Sequence, residues 1–350
     1  MENLVKKLKE THNLADFEFK ELIETDRYDE ELKKEADKVR KENYGNKVYI
    51  RGLIEYSNYC KCNCLYCGIR RDNKKADRYR LTKEEILMCC AEGYELGFRT
   101  FVLQGGEDPH FTDEVVCDIV SAIKEKHPDC AVTLSMGERT KESYKRLKDA
   151  GADRYLLRHE TADAEHFSKL HTEDSDFKNR RQCLFDLKEI GFQVGSGFMV
   201  GSPYQTTENL ISDLRFLQKL NPDMIGIGPF LSHCDTPFKD KENGNLEITL
   251  RMLSILRLMF PKALLPATTA LGTLAEGGRE LGLLHGANVI MPNLSPDVVR
   301  KKYLLYDNKL STGLESAEAI QKLKEQISSI DYEIVTDIGH AKTLQTGENI

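Results

Sequence analysis

At 350 residues, 40% apolar and 31% charged, the chain is long enough to bury one large core, which excludes a disordered, collagen-like or disulfide-stapled protein. Its 50 basic and 57 acidic residues leave a formal charge of −7, so no basic excess is present to meet a polyanion, and no nucleic acid partner is expected. No stretch approaches the roughly 18 consecutive apolar residues of a membrane span. The first residues, from Met1 to Lys7, lack the apolar run of a signal peptide, so the expected location is the cytoplasm or an equivalent reducing compartment.

Residues 1–46 read as a polar, helical N-terminal extension, with Leu4, Leu8, Leu14, Phe17 and Leu22 as apolar points in a Lys- and Glu-rich background. From Lys47 onward, short apolar runs alternate with longer amphipathic segments. The runs lie at 48–54, 100–103, 131–135, 154–158, 193–198, 224–228, 264–268 and 287–290. Alternation of this kind implies a parallel sheet with covering helices. Gly97, Gly151, Gly191 and Gly286 each fall just before one of these runs, where a helix ends most cheaply on a left-handed residue. Eight βα units over residues 47–300 predict an α/β fold of the TIM-type (β/α)8 class. A doubly wound sheet is the rival, but its first strand normally leads into a Gly-rich loop, and here that slot holds cysteines. Residues 301–350 read as a C-terminal extension in which a polar loop, 306–313, precedes a helix over 315–327.

Of the ten cysteines, Cys60, Cys62, Cys64 and Cys67 crowd directly behind the first strand. Cys60, Cys64 and Cys67 form C-x-x-x-C-x-x-C. Three thiolates on one short loop can hold three irons of a [4Fe-4S] cube and leave the fourth open to an external ligand. A zinc site would normally want a fourth protein ligand, and buried structural thiols would not explain the place at the strand mouth. Cys62 reads as a bystander thiol, although it makes an alternative C-x-C-x-x-C possible. Cys89, Cys90, Cys117, Cys130 and Cys183 read as core thiols, and His233-Cys234-Asp235-Thr236, after the sixth run, stays unassigned.

The other strand mouths carry polar groups, as a barrel site requires. The second run ends in Gly105-Gly106-Glu107, where backbone can approach a ligand closely. In the fourth, period two puts Arg154, Leu156, Arg158 and Glu160 on one face; charge facing a barrel interior implies a ligand or an ion pair. His159, on the other face, reads as a packed or capping residue. Arg180 is a candidate carboxylate clamp whose default reading is an exposed helix charge. Thr268 and Thr269 end the seventh run and offer hydroxyls either to a small polar group or to strand-end capping.

The cysteine loop, with Tyr66 immediately before the last Cys, resembles the signature of the radical S-adenosylmethionine (SAM) superfamily, and Gly105-Gly106-Glu107 looks like the superfamily's element for the SAM amino group. Along nearly its whole length the chain is similar to the HydE-type maturases of iron-only (FeFe) hydrogenases. The match is carried by residues 54–58, 67–73, 102–109, 150–162, 226–230, 266–270 and 286–292. The resemblance implies Cys60, Cys64 and Cys67 as cluster ligands, Glu160 on the SAM ribose, Arg180 on its carboxylate, and Ser135 as a further pocket residue. It also implies Thr133, Arg158, Thr268 and Thr269 as the substrate pocket. The implied cofactors are one [4Fe-4S] cluster and S-adenosyl-L-methionine. The implied reaction is reductive SAM cleavage, with 5′-deoxyadenosyl radical attack on a cysteine-bound iron carbonyl-cyanide precursor of the H-cluster. The implied partners are that small organometallic substrate, other hydrogenase maturases and an electron donor. Some relatives carry extra C-terminal cysteines for an accessory cluster; this chain has none after Cys234, so one cluster is expected. The alternatives are a methylornithine synthase-like mutase, a biotin synthase-like sulfur inserter, and a noncatalytic iron-sulfur carrier.

Overall fold

The computed structural model describes residues 3–310 and 316–345. The run at 48–54 divides into β1 (Lys47–Ile50) and β2 (Gly52–Ser57), with the fully buried Arg51 between them. Then follow β3 (Thr100–Gly105), β4 (Ala131–Ser135), β5 (Arg154–Leu156), β6 (Gln193–Ser196) with its continuation β7 (Met199–Val200), β8 (Met224–Ile225) with β9 (Gly228–Pro229), and β10 (Val289–Ile290). The seventh run supplies two parallel bridges, Leu264 to Met224 and Pro266 to Val289, in place of a full strand. From β2 to β8 the staves pair in parallel, Gly52 opposite Phe101 at one end and Gly195 opposite Met224 at the other. β10 pairs in parallel with β1, Tyr49 opposite Val289, and closes the ring. This is a (β/α)8 barrel, in which the C-terminal ends of the strands form one mouth.

Three N-terminal helices, α1 (Leu4–Thr11), α2 (Asp16–Glu24) and α3 (Asp29–Tyr44), precede the barrel. Around the staves run α4 (Lys83–Glu95), α5 (Asp113–Lys126), α6 (Lys141–Asp149), α7 (Ala164–Leu170), α8 (Phe177–Ile190), α9 (Thr207–Leu220) and α10 (Leu246–Met259). α2 packs on α9, and α1 and α3 pack on α10, where Arg251 pairs with Asp29 at 2.6 Å. Threonine starts four of the barrel helices: Thr82, Thr112, Thr140 and Thr206 each accept a first-turn N–H, and Glu85 answers Thr82 to complete a capping box. At the other ends, Gly97, Gly151, Gly191 and Gly286 hold φ of +94°, +107°, +92° and +98°. A side chain at Gly191 would therefore cost about 1 kcal/mol in backbone strain alone.

Past the seventh run come α11 (Thr269–Leu274) and α12 (Gly278–Leu284), then α13 (Asp297–Arg300) after β10. The helix anticipated over 315–327 is α14 (Ile320–Ser328), entered through a 3-10 turn at Ala317–Ala319; residue 315 and part of the loop before it lie outside the described residues. A strand not foreseen, β11 (Glu333–Val335), pairs in parallel with β1. The chain then crosses the barrel floor. Ile338 O accepts bonds from Thr100 Oγ1 (2.8 Å) and Arg154 Nη2 (3.0 Å), and His340 Nδ1 meets Gln193 Nε2. Among the described residues no helix is long and apolar enough to cross a membrane.

Candidate active site

A cavity of about 840 Å³ opens at the strand mouth. It is lined by Cys60, Cys64 and Cys67 behind β2, by Gly105, Gly106 and Glu107 at the end of β3, and by Ser135 at the end of β4. Arg158 and Glu160 beyond β5, Arg180 on α8, and Thr268 and Thr269 complete it. Of the residues singled out from the sequence, Thr133 lies apart. It lines a small void at the barrel floor with Arg51 and Arg154, and its buried hydroxyl has no hydrogen-bond partner.

The cysteine loop is pressed against β3. A Cβ on Gly106 would fall 2.1 Å from Tyr59 O and 2.8 Å from Cys60 Cβ, so only glycine permits this approach. Two amides seal the contact, Lys61 N donating to Glu107 O (2.9 Å) and Glu107 N to the Cys60 thiol Sγ (3.4 Å). All four thiols of the loop are free. Hydrogen bonds from the Cys62 thiol and from the Cys62 and Glu107 amides hold Cys60 down to about 7, whereas burial pushes Cys64 up to about 12 and Cys67 well up. Three free thiols that line one cavity from one short loop make a soft, all-sulfur donor set, which fits an iron-sulfur cluster.

Glu160 sits at φ +66° with its N–H bonded to Gly197 O (3.1 Å), a left-handed turn that carries its carboxylate into the cavity. Arg158 Nη2 lies 3.3 Å from Glu160 Oε2, in ion-pair range, yet neither atom makes an aligned hydrogen bond. Both keep hydrogen-bonding capacity for a ligand. His159 points the other way, buried between Ser196 Oγ (2.9 Å) and Asp213 Oδ1 (3.1 Å). Period two therefore survives past the end of β5: Leu156, Arg158 and Glu160 face the cavity, while Arg154 faces the floor. Arg180 is partly buried rather than surface-exposed, its side chain 16% accessible. Its Nε donates to Arg158 O (2.7 Å) and its Nη1 to Glu138 Oε1 (2.9 Å); against its burial, the carboxylates of Glu160, Glu138 and Glu107 hold it above its ordinary value. Thr268 stands at the N-cap of α11 but makes no side-chain cap bond, and its buried Oγ1 has no partner.

Sequence reasoning passed over three residues of this cavity. Glu138, which orients Arg180, sits in a loop with no pattern to mark it. Glu55, inside the apolar run of β2, is fully buried and accepts from Asn293 Nδ2 (2.8 Å) and Lys309 Nζ (2.6 Å). A carboxylate in a strand buried along its whole length was the available signal. Lys309 had none, since its loop is polar throughout.

With this geometry in view, the chain compares closely with characterised proteins. Residues 54–217 match the model of the Radical SAM superfamily. The [FeFe] hydrogenase maturase subunit HydE of Thermotoga maritima is 47% identical over 315 residues, 90% of each chain. The chain belongs to the HydE-type radical SAM maturases. As a member of this family it is a radical SAM enzyme, and the family implies a [4Fe-4S] cluster and SAM. The neighbouring branch is also close: 3-methylornithine synthase of Methanosarcina acetivorans is 32% identical over 91% of each chain. The crystal structure of methylornithine synthase (PylB) superposes with a TM-score of 0.82 at 29% identity, covering 95% of this chain and 97% of that one.

Proposed function

We propose that the enzyme matures the H-cluster by acting on a cysteine-bound iron carbonyl-cyanide precursor, using one cluster held by Cys60, Cys64 and Cys67. The observation that carries this reading is the set of polar atoms the fold leaves unsatisfied around the cavity: Arg158 Nε and Nη2 and Thr268 Oγ1 are buried without hydrogen-bond partners. Leaving them so costs about 1–3 kcal/mol each, which a ligand with several acceptors recovers. Cyanide nitrogens and a cysteine carboxylate are such acceptors. When bound, the reduced cluster and SAM supply reductive cleavage of the sulfonium and a radical at the adenosyl 5′ carbon.

The chain's own residues bind, orient and exclude water. Gly105, Gly106 and Glu107 present backbone and a carboxylate beside Cys60, where the SAM ammonium would sit. Glu160 accepts from the ribose hydroxyls, Arg180 draws the carboxylate of SAM, and Ser135 lines the same cavity at the end of β4. Arg158, Thr268 and Thr269 hold the precursor in the same cavity, and the apolar walls, among them Leu156, Met199, Phe230 and Met291, keep water from the reacting atoms. Other maturases and an electron donor are the proposed partners.

The close match to methylornithine synthase supports a second reading, an amino-acid mutase, since the same Arg158 and Thr268 would suit an amino-acid carboxylate. Anaerobic in vitro maturation separates the two. Reconstituted protein added to a system lacking only this component should restore hydrogen production, and Cys64→Ala should not. SAM cleavage without restored hydrogen production, by a protein with an intact cluster, would move the reading to the mutase.

A further inference from the structure

We propose that His233, Cys234 and Asp307 form a site for one divalent ion of the zinc class at the barrel rim, separate from the cysteine loop. Among the described residues this is the one place where three such donors have their ligand atoms within 4.8 Å of one another. Residues 73 apart in the chain are brought there by bonds from two backbone amides: Asp307 N donates to Ser232 O (2.9 Å) and Cys234 N to the Asp307 carboxylate at Oδ2 (2.8 Å). The second carboxylate oxygen, Oδ1, is left 3.9 Å from His233 Nδ1.

The imidazole is set for the task. Its Nδ1 accepts the Asp235 N–H (3.0 Å), which puts the ring proton on Nε2 and the lone pair on the side of Asp307. A bound ion takes that lone pair in place of the amide, and Asp235 is only half-buried, so water can satisfy the freed N–H. The ring is buried and packs against Gly68 so closely that no side chain would fit between them. Cys234 is exposed and Asp307 partly so, which leaves both side chains free to contract onto an ion at about 2.0–2.3 Å.

One imidazole nitrogen, one thiolate and one carboxylate, with a water as fourth ligand, suit zinc and not magnesium or calcium, which take oxygen ligands. The thiol proton leaves to solvent on binding, and thiolate plus carboxylate then neutralise the divalent charge. Lys75, which shares this loop region through Asp235, is already paired with it at 2.7 Å. The ion would fasten the strap at 303–310 to the loop after β9. That strap also bonds the cysteine loop, through Gly68 N to Leu305 O (2.9 Å), and sends Lys309 into the cavity.

The test uses the holoenzyme with its cluster in place, chelator-washed and then given Zn²⁺, with bound zinc and iron both counted after desalting. Zinc K-edge absorption reads the ligands independently of iron. The expected result is one zinc per chain bound through a single sulfur with nitrogen and oxygen neighbours, and affinity weakened at least about tenfold in Cys234→Ser and in Asp307→Asn with iron unchanged. Equal zinc binding by wild type and Cys234→Ser, zinc surrounded by several sulfurs, or no zinc retained would each overturn the site.

Discussion

Lys309 Nζ lies 2.6 Å from Glu55 Oε1 inside the barrel mouth, with both side chains almost wholly removed from water. The pair joins the first stave to a strap 254 residues further along the chain, and Asn293 holds the other oxygen of Glu55. Removing one member of such a pair leaves an uncompensated buried charge, whereas removing both leaves a neutral site. Lys309→Met should therefore lower unfolding free energy by about 3–5 kcal/mol. The double variant Lys309→Met with Glu55→Gln should regain most of it. Denaturant titration of all three proteins checks this, and a double variant as unstable as the single one would show that the pair acts through packing instead.

Glu160 is held in a left-handed turn that few non-glycine residues adopt, and the fold gives its Oε2 no aligned partner. Strain of this kind persists where the surrounding structure imposes it for a ligand. Hydrogen bonds to a charged acceptor are worth about 1.5–3 kcal/mol, so Glu160→Ala should weaken SAM binding by roughly 10- to 150-fold. Cluster iron should be unchanged. Calorimetric titration of SAM into the reconstituted variant reads the effect directly; unaltered affinity would remove Glu160 from the SAM site and revive a carrier role.

The parts of this architecture that were legible in the sequence are those written locally. Strand runs alternate with helices that start on threonine and stop on glycine, and the cysteine loop announces itself by spacing. Period two alone placed Arg158 and Glu160 on one face. What could not be read comes from contacts made across the chain. β11 is a three-residue strand with one buried side chain, Ile334, too short to show a period, and it forms because β1 offers it an edge. Thr133 shares the inward face of the barrel with the site residues but sits at the floor, because depth along a stave depends on barrel tilt rather than on side-chain alternation. Lys309 and Glu138 meet their partners only after the loops have folded back over the mouth.

Thr268 offers a test that separates stability from function. Its hydroxyl oxygen is buried and unpartnered, so Thr268→Val, which keeps the shape and removes the polar atom, should leave unfolding free energy unchanged or raise it by about 1 kcal/mol. If the hydroxyl serves the substrate, hydrogenase maturation should fall by about tenfold in the same protein while SAM binding holds. Parallel thermal unfolding and in vitro maturation assays give both numbers. A stability loss with normal maturation would instead assign the hydroxyl to the fold.

His171 predicts a specific response to acid. Its ring stacks on Phe167 at 3.9 Å between centroids, its Nδ1 donates to Phe167 O (3.0 Å), and its Nε2 accepts from Tyr66 OH (3.3 Å), the residue before Cys67. Burial, with the Arg180 cation adding to it, lowers its pKa to about 3. The unfolded chain, with an ordinary histidine near 6.5, therefore binds the proton that the folded chain refuses, and stability must rise with pH across that interval. The contribution is complete above about pH 6.5 and is lost as pH falls toward 3, at a limiting slope of about 1.4 kcal/mol per pH unit. His171→Gln should flatten the stability profile between pH 6 and pH 4 by that amount, measured by denaturant unfolding at fixed ionic strength. A variant whose slope matches wild type would mean that the imidazole is protonated in the folded protein, which would require the Tyr66 contact to reverse its donor and acceptor roles.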